Sequence, residues 1–237
     1  MKRLFIESSL YPKFDIQINA PNLQSFKYSP VLAKDFAPHN FSQLLDAEIV
    51  LSSSANIGER GELGLLTTKL FHSVSRVKRL TVSDHLLQSL PVFHNLVHLE
   101  VITADSYVGS DDEVLQCWIV EMLLKFLHIS PNLESLIFVD GFCDYEAYPS
   151  YDWSLDLIPQ CLLLHLKSIE FRGCFWNQAE KDLVRLFLKN AKALQTVRIT
   201  ISGQSSYFSK KSNYKKKVLN EIALFPRGSV DCVVHVS

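Results

Sequence analysis

The chain has 237 residues, enough for one large domain or two small ones and for a sizeable buried core. Hydrophobic residues make up 47% and the formal charge at pH 7 is -1, which excludes an intrinsically disordered chain and gives no global reason to expect nucleic acid or an acidic membrane as partner. The five cysteines (Cys117, Cys143, Cys161, Cys174 and Cys232) include no C-x-x-C pair, and the opening MKRLFIESSL breaks its apolar run at Glu7, so a reducing setting, cytoplasmic or nuclear, is expected.

In chain order, the dominant signal is a recurring L-x-x-L-x-V/F/I pattern. It appears as Leu23, Phe26, Tyr28 and as Leu44, Ala47, Ile49, then as Val77, Leu80, Val82 and as Leu96, Leu99, Val101. Later copies are Leu133, Leu136, Phe138, then Leu166, Ile169, Phe171, and finally Leu194, Val197, Ile199. The copies begin roughly 20 to 40 residues apart, around and above the range of leucine-rich repeats. Two of them share a P-N-L lead-in, at Pro21-Asn22-Leu23 and Pro131-Asn132-Leu133. Alternate apolar residues of this kind predict short strands with one face in a core.

The segments between the copies predict the returns. Leu63 to Phe71 is a helix candidate, and Phe93-His94-Asn95 is a short link. Ser110 to Ile129 carries a capping box, with Ser110 as N-cap and Glu113 three places on. Asn177 and Glu180 repeat that signature before the helical spacing of Leu183, Leu186 and Phe187 in Gln178 to Asn190. Tyr214 to Leu224 reads as a further helix and Cys232 to Val236 as a final strand. The richest apolar stretch, Cys117 to Ile129, is too short and too charged to span a bilayer, so no membrane is expected. Between Asp140 and Asp156 the composition turns acidic and aromatic around Pro149, which sets the expected boundary: degenerate repeats over 1–156 and a second unit over 157–237. About 20 residues precede the first copy with no polar capping unit, so the sequence reads as an interior piece of a longer protein.

Each unit of strand and return leaves an apolar face that only its neighbours can cover. The expected fold is therefore an α/β leucine-rich-repeat solenoid, a curved parallel sheet with helices or irregular segments on its convex side. The polar residues that alternate with the core positions would project from the inner sheet face, the usual binding surface of such arrays. They include Arg79 and Thr81, His98 and Glu100, Glu170 and Arg172, and Thr196 and Arg198. Their mixed charge points to a protein or peptide partner, since a polyanion would favour one sign.

Motifs for chemistry are weak beside this. His94 and His98 have a metal-pair spacing but no third ligand in view. Gly58, Gly61 and Gly64 lack the Gly-Lys-Ser/Thr of a phosphate loop and read as a flexible loop. Asp111, Asp112 and Glu113 suit a helix start, and Cys174 beside Phe175 and Trp176 reads as packed rather than reactive. Asp144, Glu146, Asp152 and Asp156 interleave with Tyr145, Tyr148, Tyr151 and Trp153, either as an inter-domain connector or as a partner-binding loop. The lysines 210, 211, 215, 216 and 217 around Tyr214 read as a solvated loop leading into a helix, with nuclear import or phosphate contact as the sharper alternative. No catalytic residue, metal ligand or cofactor is expected.

Several phrases between Ile158 and Ser237 carry a family resemblance. They are Pro159-Gln160-Cys161-Leu162-Leu163, His165 through Phe171, Glu180 through Ala191, and Phe225-Pro226-Arg227-Gly228-Ser229 followed by Asp231-Cys232. With the upstream P-N-L units, the chain resembles the plant F-box/FBD/LRR-repeat proteins, in which the C-terminal unit is the FBD module. The resemblance implies substrate recognition for an SCF-type E3 ubiquitin ligase, with an unknown protein substrate as partner. A Skp1-like adaptor and a cullin follow only if a longer form carries an F-box, because nothing before Leu23 has its pattern. The alternative is a stand-alone interaction module, or a truncated decoy, with no link to ubiquitination.

Overall fold

A computed structural model of the protein describes residues 2–7, 16–29, 36–39, 41–50, 60–87, 90–103, 115–141, 157–202 and 211–237. The elements follow in the order β1 (Arg3–Glu7), β2 (Ile16–Asn19), β3 (Ser25–Ser29), β4 (Phe36–His39), β5 (Asp46–Ile49), α1 (Arg60–Val74) and β6 (Arg79–Ser83). Then come β7 (His98–Ile102), α2 (Leu115–His128), β8 (Ser135–Val139), α3 (Gln160–Leu164) and β9 (Ser168–Cys174). The last are α4 (Gln178–Asn190), β10 (Thr196–Ile201), α5 (Lys211–Ala223) and β11 (Val233–Val236). Nine strands form one open sheet in the order β1-β3-β5-β6-β7-β8-β9-β10-β11, and every pairing is parallel. Strands β2 and β4 pair separately with each other. The architecture is α/β, and successive parallel strands laid side by side are compatible with a solenoid.

All seven copies of the repeat pattern are strands, and their register explains the pattern. The middle position builds one ladder, Phe26-Ala47-Leu80-Leu99-Leu136-Ile169-Val197, and the last builds a second, from Tyr28, Ile49, Val82 and Val101 to Phe138, Phe171 and Ile199. The first leucine or valine of each copy sits in the turn before its strand and is buried in the same core. In five copies (Leu23, Leu44, Val77, Leu96 and Leu133) its amide donates to the carbonyl three residues back, which tightens that turn. The next two amides of each copy share one carbonyl of the preceding unit, at Lys2, Gln24, Leu45, Lys78, Val97, Glu134 and Lys167 in succession. This spine leaves few buried backbone groups unpaired at the strand entrances. It runs unbroken from β8 to β9, on either side of residue 156.

The P-N-L lead-in has a physical role in this turn. The Asn132 side-chain amide donates to the carbonyl of His94 at 2.7 Å, and Asn95 donates likewise to Arg76 at 3.4 Å, so each turn is stitched to the one before. Helices cover one face of the sheet. Leu70, Phe71 and Val74 of α1, Leu123, Phe126 and Leu127 of α2, Leu183, Val184 and Phe187 of α4, and Val218 and Ile222 of α5 all enter the core cluster. Phe138 stacks on Phe171 with ring centroids 4.9 Å apart and packs against Phe187 of α4 at 6.3 Å. Burying an aromatic side chain of this size contributes about 1.5–3 kcal/mol, so these ladders dominate the favourable side of folding.

Helix α4 begins as its sequence predicts. Asn177 Oδ1 accepts the Glu180 amide at 3.0 Å and Glu180 Oε2 accepts the Asn177 amide at 3.1 Å, closing the capping box. Glu180 is fully buried, and its Oε1 also accepts the Phe175 amide at 3.3 Å. Beside it, Gly141 and Gly173 both adopt positive φ, and the Gly141 amide donates to the Arg172 carbonyl at 3.0 Å. Farther on, Phe225 of the F-P-R-G-S phrase lies under the Arg185 guanidinium at 4.6 Å, and Gly228 donates to the Leu188 carbonyl at the end of α4. That phrase therefore clamps the C-terminal end of the helix.

One expectation is corrected. Gly61 and Gly64 lie within α1, not in a flexible loop, because the helix is held by the core contacts of Leu70, Phe71 and Val74, which outweigh the roughly 1 kcal/mol that each glycine costs a helix. Gly58, Ser110, the acidic Asp111–Glu113 run, the acidic-aromatic segment from Asp144 to Asp156 and Lys210 lie outside the described residues. Helix α5 starts at Lys211, three residues before the expected Tyr214.

Candidate functional site

In every strand of the large sheet the residues between the core positions point to the opposite face. All eight polar residues picked out from the sequence are there. Register places Arg79 beside His98 and Thr81 beside Glu100 across β6 and β7, and places Arg198 beside Glu170 across β9 and β10. Arg79 and Arg198 are exposed, whereas Thr81, His98, Glu100, Glu170, Arg172 and Thr196 are half-buried.

Three of these side chains form one cluster. Arg172 donates from Nε to Glu170 at 2.9 Å and from Nη1 to Glu100 at 3.2 Å. Glu100 lies on β7 and Glu170 on β9, with Ile137 of β8 between them in register. The guanidinium therefore bridges across β8, and Ile137 is 8% exposed although it belongs to the open face. Ile137 escaped the sequence reading, which collected only polar residues at alternate positions. The signal available was its place in the pattern, between Leu136 and Phe138.

Two further ion pairs lie on this face. Arg79 Nε meets Asp46 at 2.6 Å, and Lys27 Nζ meets Glu48 at 2.5 Å with the same ammonium over the Phe5 ring at 5.4 Å. The hydrogen bond from Arg172, reinforced by its charge, holds the Glu170 carboxyl below the usual carboxylate range against the opposing effect of burial. The same bond raises the Arg172 guanidinium. Burial pushes His98 below its ordinary value, with Arg79 and Arg172 acting in the same direction and Glu100 against it. The face thus presents fixed carboxylate–guanidinium pairs beside a neutral imidazole and an exposed guanidinium at Arg198. Such a surface suits hydrogen bonding to peptide groups and to side chains of either sign.

Two cysteines, Cys161 and Cys174, lie in the core behind this face. Burial pushes the Cys161 thiol up to about 12, and pushes Cys174, with Glu180 adding to the effect, higher still, so both are protonated at neutral pH. His94 is exposed in the turn before β7 and His98 lies on the strand itself. Among the described residues, no group of three His, Cys, Asp or Glu side chains is placed to hold a metal ion. Among them, too, no helix is long and apolar enough to cross a membrane.

Comparison with known proteins bears on the same regions. Residues 156–199, from the approach to α3 through β10, match the family model described as FBD. An F-box/FBD/LRR-repeat protein of Arabidopsis thaliana is 28% identical over 70% of this chain and 36% of its own length. A second protein so named is 26% identical over 94% of this chain and 49% of its own, and an FBD-associated F-box protein is 22% identical over 87% and 45%. The chain thus spans less than half the length of these curated relatives. No solved structure matches it. The likeness read from the repeat and from the C-terminal phrases holds: the chain carries an FBD segment and is similar over most of its length to the F-box/FBD/LRR-repeat proteins of Arabidopsis.

Proposed function

We propose that the chain is the substrate-recognition part of an F-box protein of an SCF-type E3 ubiquitin ligase. In this reading the nine-stranded sheet is a leucine-rich-repeat solenoid, its open face is the receptor surface, and the FBD unit continues the array. The chain performs no catalysis and needs no cofactor. Its partner is a protein substrate in the cytoplasm or nucleus, and a Skp1-like adaptor with its cullin joins through an F-box carried by a longer form. The observation that carries the reading is the continuous open face, on which eight polar residues from four strands lie on one side of the sheet and three of them interlock around Arg172. Relatives named for an F-box support its connection to a ligase.

The test uses the longest natural form, tagged and expressed in plant cells, beside a variant carrying Glu100→Lys, Glu170→Lys and Arg172→Glu. The wild type is expected to co-purify with a Skp1-like adaptor and to lower the amount of at least one captured protein while raising its ubiquitin. The variant is expected to keep the adaptor and lose that captured protein. Failure of every natural form to bind the adaptor would leave a stand-alone interaction module. Unchanged capture by the variant would move the receptor surface off this face.

A further inference from the structure

The two edges of the large sheet are finished differently. Strand β1 reads Arg-Leu-Phe-Ile-Glu after Lys2, with charges at both ends of the edge. Strand β11 reads Val-Val-His-Val and follows Cys232, with no lysine, arginine, carboxylate or proline within it. Natural edge strands normally carry such features because an unpaired row of amides and carbonyls templates another strand.

Its backbone groups can be assigned individually. The amides of Val233 and Ser237 donate to Gln195 and Ile199 of the β10 side, and Ser237 accepts from Ile201. Strand alternation then turns His235 towards β10 as well, and turns the amides and carbonyls of Val234 and Val236 outward. The Val234 and Val236 side chains are only partly buried where they close the end of the core. The two most exposed large apolar side chains among the described residues, Val230 at 93% and Leu224 at 85%, lie in the segment leading into this strand.

We propose that β11 is a self-association edge, on which a second copy of this chain adds its own β11 antiparallel about a two-fold axis. The register follows from the outward groups. Val234 of each copy pairs with Val236 of the other, so each donates and accepts through the backbone, and the axis passes between the two His235 residues. Antiparallel partners point to the same side of a sheet, so the valines that close one core lie against those that close the other. The two histidines face each other on the open side, with Cα atoms about 4.5 Å apart in a pair of the non-hydrogen-bonded kind. An isologous contact brings each residue against its own kind or its symmetry mate, so a charged strand would repel itself. Strand β11 holds no lysine, arginine, aspartate or glutamate, which is the composition such a contact requires. Pairing would join the open faces of two copies into one surface.

The test is a charge exchange at His235, which is exposed and does not contribute its side chain to the core. The full chain is followed by sedimentation over a range of concentrations at mildly alkaline pH. Wild type is expected to pass from monomer to dimer as concentration rises. His235→Lys and His235→Asp alone should each weaken association roughly fivefold, the scale of like charges directly opposed across a strand pair. An equimolar mixture of the two should recover it. Wild-type protein that stays monomeric throughout would overturn the proposal and leave the edge to a strand of another protein. So would a mixture that associates no better than either variant alone.

Discussion

The return between β9 and β10 and the return between β5 and β6 join the same kind of strand pair by different means. Helix α4 is specified locally at both ends, by the Asn177–Glu180 box at its start and by the Phe225–Gly228 clamp at its finish. Helix α1 begins with two glycines in its first turns. Yet each lays an apolar stripe on the core, Leu70, Phe71 and Val74 in one case and Leu183, Val184 and Phe187 in the other. The strands they connect keep the same register and the same shared-carbonyl spine. The ladders therefore set the architecture, and local helix signals adjust how firmly each return is held.

The largest blow to this contrast should come from Gly141, which holds the turn beside α4. Its φ is +64°, and an added Cβ would stand 2.5 Å from the Gly173 carbonyl oxygen and 3.1 Å from Glu180 Oε1. Gly141→Ala combines a left-handed backbone with a clash against main chain and is expected to cost about 3 kcal/mol. Urea unfolding, with the midpoint compared at constant slope, checks this. A loss within experimental error would mean that the turn does not brace the capping box.

A smaller effect is expected from the box itself. Asn177→Ala removes the acceptor for the Glu180 amide, while the backbone amide at 177 can still donate to the Glu180 carboxylate, at a cost of about 1 kcal/mol. Amide hydrogen exchange should locate the loss in the first turn of α4, with the protection of α1 unchanged. Equal loss in both helices would show that the returns are energetically coupled and would dissolve the contrast.

The smallest effect should appear on the open face as a function of pH. His98 is held below its ordinary 6.5, so the unfolded chain takes up its proton first. Its contribution is complete above pH 6.5 and declines as pH falls from there through the folded value. Glu170, held below 4.5, contributes fully above that pH, and its share is lost as pH falls through its folded value. Stability should therefore drop slightly as pH falls below about 6.5, and His98→Gln should flatten that step. An unchanged step in the variant would assign it to other histidines.

Much of this was legible in the sequence, for reasons the structure makes plain. Each repeat copy writes its turn residue and its two core residues into three fixed positions, so seven strands could be read from Leu23 to Ile199 without any knowledge of their neighbours. The elements that escaped lack that signature. Strand β4 contains Pro38, which argues against a strand, α3 is five residues long, too short for a helical period, and β1 has Leu4 and Ile6 but no turn leucine ahead of them. On the open face the residue types and their side of the sheet were readable. Their grouping was not, since Glu100 and Arg172 stand 72 positions apart and meet only because β8 lies between their strands.

The order of the strands in space follows their order along the chain, with β2 and β4 set aside as a pair of their own. No sheet bond therefore ties the first strand to the last. A load drawn between the two ends passes through the strand pairs in series, and the pair with the weakest return yields while the others keep their alignment. Stretched in this way, the molecule should lengthen in steps, one strand pair parting after another from the weakest upward, rather than rupture at a single peak of force.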